Sequence, residues 1–272
     1  ITLSALAGRS GHYGPIRLWG SIGFIVAVLL VGAWLDGHAS ASLAGVLLAL
    51  ALAALAVSVA LPGGGSASPR SGDDTGAAAG RATQSVRLLI GAGFCMAVAH
   101  GALYAFFTLH LQRLGYSGKA IGALWTLGVL AEIVVFLYLP ALFRRFTLAA
   151  ILLVSLLAAV VRFAAIGWAA GYLAVLVVAQ LLHAATFGAF HAASVAAVHR
   201  LFPAARHARG QALFSSLAYG GGGASGALIA GWGWEAGGPA LTFSLAAGSA
   251  AIGAWLVFRL EPVELYDASR VR

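Results

Sequence analysis

Apolar residues in this chain come in long runs broken only by short polar gaps, with neither the strict alternation of a strand nor the narrow stripe of a water-facing helix. Eight runs reach the roughly 20 residues needed to cross a bilayer as a helix. They cover 17–35, 41–61, 88–111, 118–142, 147–168, 172–199, 210–232 and 239–260. The pattern predicts an all-α membrane protein with eight transmembrane helices.

Composition points the same way. Of the 272 residues, 61% are hydrophobic and 9% charged, with a mean hydropathy of +0.94. Soluble domains carry about 25% charged residues, so too few polar side chains remain here to cover a water-facing surface. The net charge of +8 does not indicate nucleic-acid binding, because the cations sit in gaps between runs instead of on one face. Thirteen of the sixteen Lys and Arg residues fall in gaps that alternation places on one side, against Arg113 and Lys119 on the other; Arg162 lies inside a run. The positive-inside rule makes the richer side, with both termini, cytoplasmic.

One gap differs. Residues 62–86 are rich in Gly, Ser and Ala, with Asp73 and Asp74 among arginines, and read as a flexible cytoplasmic linker. This divides the chain into 1–61, the end of an amino-terminal helix bundle, the linker, a six-helix bundle over 87–260 and a cytoplasmic tail over 261–272. The chain begins with Ile1 and shows no charged leader before a short apolar segment. It is read as lacking a signal peptide and as a fragment whose amino terminus lies upstream.

Several segments resemble one family in order along the chain. Gly11 to Gly23, with Tyr13, Gly14, Arg17 and Gly20, is similar to the start of the fifth helix in the lactose permease-like and phenylpropionate transporter-like branch of the major facilitator superfamily. There an aromatic residue, Gly, a basic residue and Arg precede two bulky apolar residues and Gly; Pro15 departs by standing where the basic residue usually is. His100 to Phe107 resembles the seventh helix of phenylpropionate-type members, Leu124 to Glu132 the eighth, Val161-Arg162-Phe163 the ninth, Gln180 to His183 the tenth and Gly210 to Tyr219 the eleventh. The resemblance implies helices 5–12 of a twelve-helix fold, with four helices upstream. It also implies a secondary transporter of the bacterial inner membrane, moving an aromatic or other organic acid, or a sugar-like solute, by alternating access with protons as coupling ion. The lactose permease pattern has an acidic residue one turn after the histidine and a lysine in the tenth helix. Here these are Thr186 and Gln180, so that sugar–proton mechanism does not transfer residue by residue.

Charged groups inside a span cost about 2.5 kcal/mol or more on insertion scales and are functional candidates by default. Glu132 and Arg162 qualify, and His183 lies between them in depth. At about 1.5 Å per residue, they sit roughly 21, 10 and 16 Å from the outer face. This predicts a line facing one cavity with His183 bridging. Glu132 and His183 are read as the proton-handling pair, and Arg162 as tuning them or meeting an anionic substrate. The bland alternative is a set of fixed hydrogen bonds between helices. Arg17 is either a substrate contact, as the resemblance implies, or a positive-inside anchor. His100, Tyr104, Phe107, Trp125, Gln180 and Thr186 are candidate lining residues, with core packing as the alternative for the aromatics. His191, eight residues from His183, falls about 80° away on a regular helix. Gly222, Gly226 and Ala230 line one face and favour close helix packing.

No His-Glu-x-x-His motif, acidic pair within a span or phosphate loop is present, so an enzyme, a metal site and a bound cofactor are not expected. Cys95 lies alone in an apolar run. Expected partners are a small-molecule substrate, protons and the lipid bilayer, with no nucleic acid, and the expected state is a monomer. The alternative function is a non-transporting scaffold or signalling protein of the same fold.

Overall fold

In the computed structural model, the described residues are 43–60, 76–203 and 206–260, with single positions 23, 26 and 30. The chain divides into two compact units, Ile1–Pro69 and Arg70–Arg272.

In the first unit, helix α1 spans Leu43–Ala60. It is apolar all round, and Leu47, Leu48, Leu52 and Val59 are exposed. Water would not tolerate such a face, whereas lipid suits it. The predicted run 17–35, with Arg17, lies outside the described residues except for positions 23 and 30, both ordinary apolar or glycine sites, and 26.

The second unit is a helix bundle. Helix α2 spans Gly76–Arg113, α3 Gly118–Arg145 and α4 Leu148–Ala169. Ser117 and Thr147 cap α3 and α4, accepting from the backbone N–H groups of Ala120 and Ala150; each satisfies a donor that the first helical turn leaves open. The next span joins α5, Leu173–Leu181, through a π-helical segment, π1, at Ala184–Ala189, to α6, Phe190–Leu201. The last joins α7, His207–Phe214, through π2 at Ser215–Gly221, to α8, Gly222–Phe258.

Five helical stretches among the described residues are long and apolar enough to cross a membrane, the last being His207–Phe258. That last stretch doubles back. Thr242 Oγ1 donates to Ala230 O at 3.5 Å, which a straight helix would hold about 18 Å apart. The reversal sits at Gly237–Gly238, where Gly238 has φ 64° and ψ −158°, a region essentially reserved for glycine. Pro239 then opens the second limb, where its missing N–H costs nothing. The expected break between 232 and 239 is this turn. The eight expected crossings are not all seen, because 17–35 lies largely outside the described residues and α1 is a shorter apolar helix. The linker expectation needs a correction: α2 begins at Gly76, inside 62–86. The physical reason is the alanine run Ala77–Ala79, since alanine is the strongest helix former.

Helix α2 lies directly on the first limb of α8. A Cβ at Gly101 would fall 2.7 Å from the Gly226 carbonyl carbon, and one at Gly222 2.7 Å from the Phe94 oxygen. Gly222 and Gly226 are buried on that contact, and Ala230, one turn further, is buried as well. Small residues allow this backbone approach, which in lipid replaces the hydrophobic drive available in water. Around it Leu103, Phe107, Leu156, Phe163 and Phe243 are fully buried. Ser249 Oγ donates to Cys95 O at 2.9 Å, tying the second limb to α2. Gly226→Val is therefore expected to destabilise the bundle by about 1–3 kcal/mol or more through overpacking. Gly231, with nothing within 4 Å of an added Cβ, should accept alanine without loss. Thermal unfolding in detergent, followed by tryptophan fluorescence, checks the pair; equal melting of Gly226→Val and wild type would contradict the close approach.

Candidate functional site

The site starts from Arg162 on α4, which is fully buried. Its guanidinium is a planar fork of donors with no acceptor. Three of those donors are used. Nε donates to Ala179 O at 2.7 Å, one terminal nitrogen to Gln180 Oε1 at 2.9 Å, and the other to Thr186 Oγ1 at 3.0 Å. All three acceptors are neutral oxygens on the α5–π1 span. Thr186 Oγ1 in turn donates to His183 O, at 3.4 Å.

Glu132 on α3 and His183 at the start of π1 are both buried. Glu132 Oε2 lies 3.8 Å from His183 Nε2. Gly188 makes room for the acid, since a Cβ there would meet Glu132 Cγ at 3.1 Å. His183 therefore does reach Glu132, but Arg162 bonds to Gln180 and Thr186 instead of to the histidine. The expected bridge through His183 is corrected in that respect. Depth along each helix fixed the order of the three groups; their direction around each helix, set by packing, decided the partners.

Beside this group opens a cavity of about 670 Å³, lined mainly by apolar atoms. His100, Tyr104 and Thr186 lie on its wall, joined by Phe187, His191 and Tyr219. The other three candidates stand elsewhere. Phe107 is fully buried and packs edge-on against Trp125 at 5.3 Å. Trp125 donates to Thr108 Oγ1 at 3.1 Å and stacks on Tyr104 at 6.2 Å. Gln180 sits behind the wall, on Arg162. Phe107, Trp125 and Gln180 thus support the wall instead of forming it.

His183, Phe187 and His191 form a ladder of near-parallel rings, at 5.3 and then 6.1 Å, each pair 9° from parallel. This corrects the expected 80° separation of the histidines. A regular helix gains about 40° every four residues. The π1 segment has more residues per turn and removes that drift. His191 Nδ1 lies 3.0 Å from Tyr219 Oη, linking α6 to π2 across the cavity. Neither Phe187 nor Tyr219 was a candidate in the sequence. Tyr219 lay within the Gly210–Tyr219 segment, but nothing in its spacing tied it to His191. Arg17 lies outside the described residues.

A buried cation, a carboxylate beside a histidine, and a cavity walled by rings and hydroxyls thus lie together within a bundle of apolar helices long enough to cross a membrane. The chain belongs to the MFS_1 like family, whose pattern matches residues 1–245, and with it to the major facilitator superfamily. It is 35% identical over 221 residues to the "Probable 3-phenylpropionic acid transporter" of Escherichia coli (strain K12), covering 77% of this chain and 55% of that protein. It is 30% identical over 166 residues to the "Maltose permease" of Geobacillus stearothermophilus, covering 61% of this chain and 42% of that one. The chain thus spans about half the length of these curated relatives.

Proposed function

We propose that this protein is a secondary transporter that moves a small organic anion through the cavity by alternating access, with a proton as coupling ion. The observation that carries the reading is Arg162. A guanidinium buried without charge compensation from its own hydrogen-bond acceptors is costly in lipid. It lies one hydroxyl, that of Thr186, behind the cavity wall. A carboxylate entering the cavity supplies a counter-charge from the cavity side, and Arg is the residue best matched to it. The rings of Tyr104, Phe187 and Tyr219 offer faces and edges to an aromatic body. A neutral sugar, the solute in the name of the second relative, has no use for this charge.

In this reading Glu132 and His183 handle the proton, the arginine-rich side of the bundle is cytoplasmic, and the segment between α1 and α2 bridges two halves of the transporter. The test is uptake by the full-length gene product in proteoliposomes, using labelled 3-phenylpropionate and labelled maltose, with and without an inward proton gradient. Gradient-driven accumulation of 3-phenylpropionate and none of maltose is expected. Accumulation of maltose alone would overturn the anion reading, and uptake indifferent to the gradient would overturn the coupling.

A further inference from the structure

His100 sits on α2, buried at the cavity wall. Its Nδ1 lies 3.0 Å from Met96 O, one helical turn back. A carbonyl oxygen only accepts, so Nδ1 carries the hydrogen of the neutral ring and Nε2 is left as a bare lone pair. That Nε2 is buried and has no hydrogen-bond partner.

The same reasoning applies to His183. Its Nε2 lies 3.8 Å from Glu132 Oε2, longer than a hydrogen bond, and we assign the ring hydrogen to that nitrogen because an ionised carboxylate attracts it. Nδ1 is then the bare one, and it too is buried without a partner. The two rings are neighbours, with centroids 6.0 Å apart. They sit among apolar rings beside the cavity: Phe163 meets His100 edge-on at 5.4 Å, and Phe187 lies 6.0 Å from His100 and 5.3 Å from His183. Two orphaned acceptors side by side in apolar surroundings are costly. One proton, held between them through a bridging water, satisfies both.

From this we infer that His100 and His183 together form a binding site for a single proton. Through that water the proton joins His100 Nε2 to His183 Nδ1, while Glu132 steadies the resulting charge from the far side of His183. The ionisable groups around the pair are Tyr104 on α2, Glu132 on α3, Arg162 on α4 and, one ring further along the ladder, His191 bonded to Tyr219; α8 meets the cavity with Gly223 and Ala227. Arg162 opposes a second positive charge beside it. An anion in the cavity removes that opposition, so proton and anion favour each other's binding. No bond is made or broken beyond the N–H that forms on entry and is lost on exit.

The last step, coupling to the anion, rests on the transport reading; the proton site does not. Imidazole nitrogen NMR on the full-length protein, with ¹⁵N-labelled histidine and no substrate, tests it between about pH 8 and about pH 5. The expected result is that His100 and His183 change in one joint step, with His100 Nε2 and His183 Nδ1 shifting together. His100→Gln should abolish that step. If His100 keeps a bare Nε2 while His183 titrates alone, or if His183 titrates unchanged in the variant, the inference fails. Should His100→Gln not fold, the wild-type spectra decide by themselves. For transport, His100→Gln should lose at least about tenfold of gradient-driven 3-phenylpropionate accumulation, a larger loss than it shows in exchange at equal concentrations. A wild type that carries no 3-phenylpropionate sinks the substrate reading and leaves the spectral test intact.

Discussion

Arg162→Met should leave a folded protein that takes up labelled organic acid at less than about 1% of the wild-type rate. The hydrogen-bond acceptors of Arg162 are neutral, so its removal leaves no hydrogen-bonded charge stranded, and the fold is expected to survive. The variant does leave Gln180 Oε1 and Thr186 Oγ1 without the donors they now have. That costs about 1–3 kcal/mol for each acceptor that finds no other donor. Function is expected to fail, because the cavity loses the charge that faces an anion. Arg162→Lys is the sharper comparison. Lysine keeps the charge but not the planar fork that reaches Ala179, Gln180 and Thr186 together. Uptake should fall by about 10- to 100-fold, equal to about 1.4–2.7 kcal/mol. The measurement is initial uptake in proteoliposomes beside a thermal melt of the same preparations. Wild-type uptake by Arg162→Met would show that the guanidinium is a tie between α4 and the α5–π1 span and nothing more.

Glu132→Gln is the second large effect. Glutamine keeps the volume that Gly188 accommodates and removes the ability to ionise. Beside it, His183 loses the acceptor that favours a positive ring. Accumulation against a gradient should drop by about tenfold or more, while exchange of labelled for unlabelled solute stays within a few-fold. The split between the two assays is the informative result. Loss of both would mean that the carboxylate binds solute or holds α3 against π1. Retention of both would remove Glu132 from proton handling.

The spans were legible in the sequence because lipid demands long apolar runs and satisfies no backbone group itself. The turn between 232 and 239 was legible through its glycines and Pro239, and Thr147 stood in advance at the edge of its run. Glu132, Arg162 and His183 could be found because ionisable groups inside a span are rare. Their pairing could not. Arg162 meets Gln180 and Thr186 because of how α4 and the α5–π1 span are turned toward each other, and helical depth contains no such information. The helical start at Gly76 was hidden by the glycines and serines around it, which outweighed three alanines in a compositional reading. The histidine ladder was hidden because π1 has no sequence signature, and a regular period places His191 on another face.

That segment also has a meaning in chain length. A π-helical turn holds a residue more than the α-helix around it would, so π1 and π2 are each equivalent to a one-residue insertion that the spans have kept. Deleting a residue from 184–189 would let the helix run on regularly. His191 would then stand seven regular residues after His183, about 20° short of two full turns, and would still face the Tyr219 side while the backbone remained fully bonded. Eight regular residues would instead place His191 about 80° from His183, so the widened turn is what lets this spacing keep both histidines on one face.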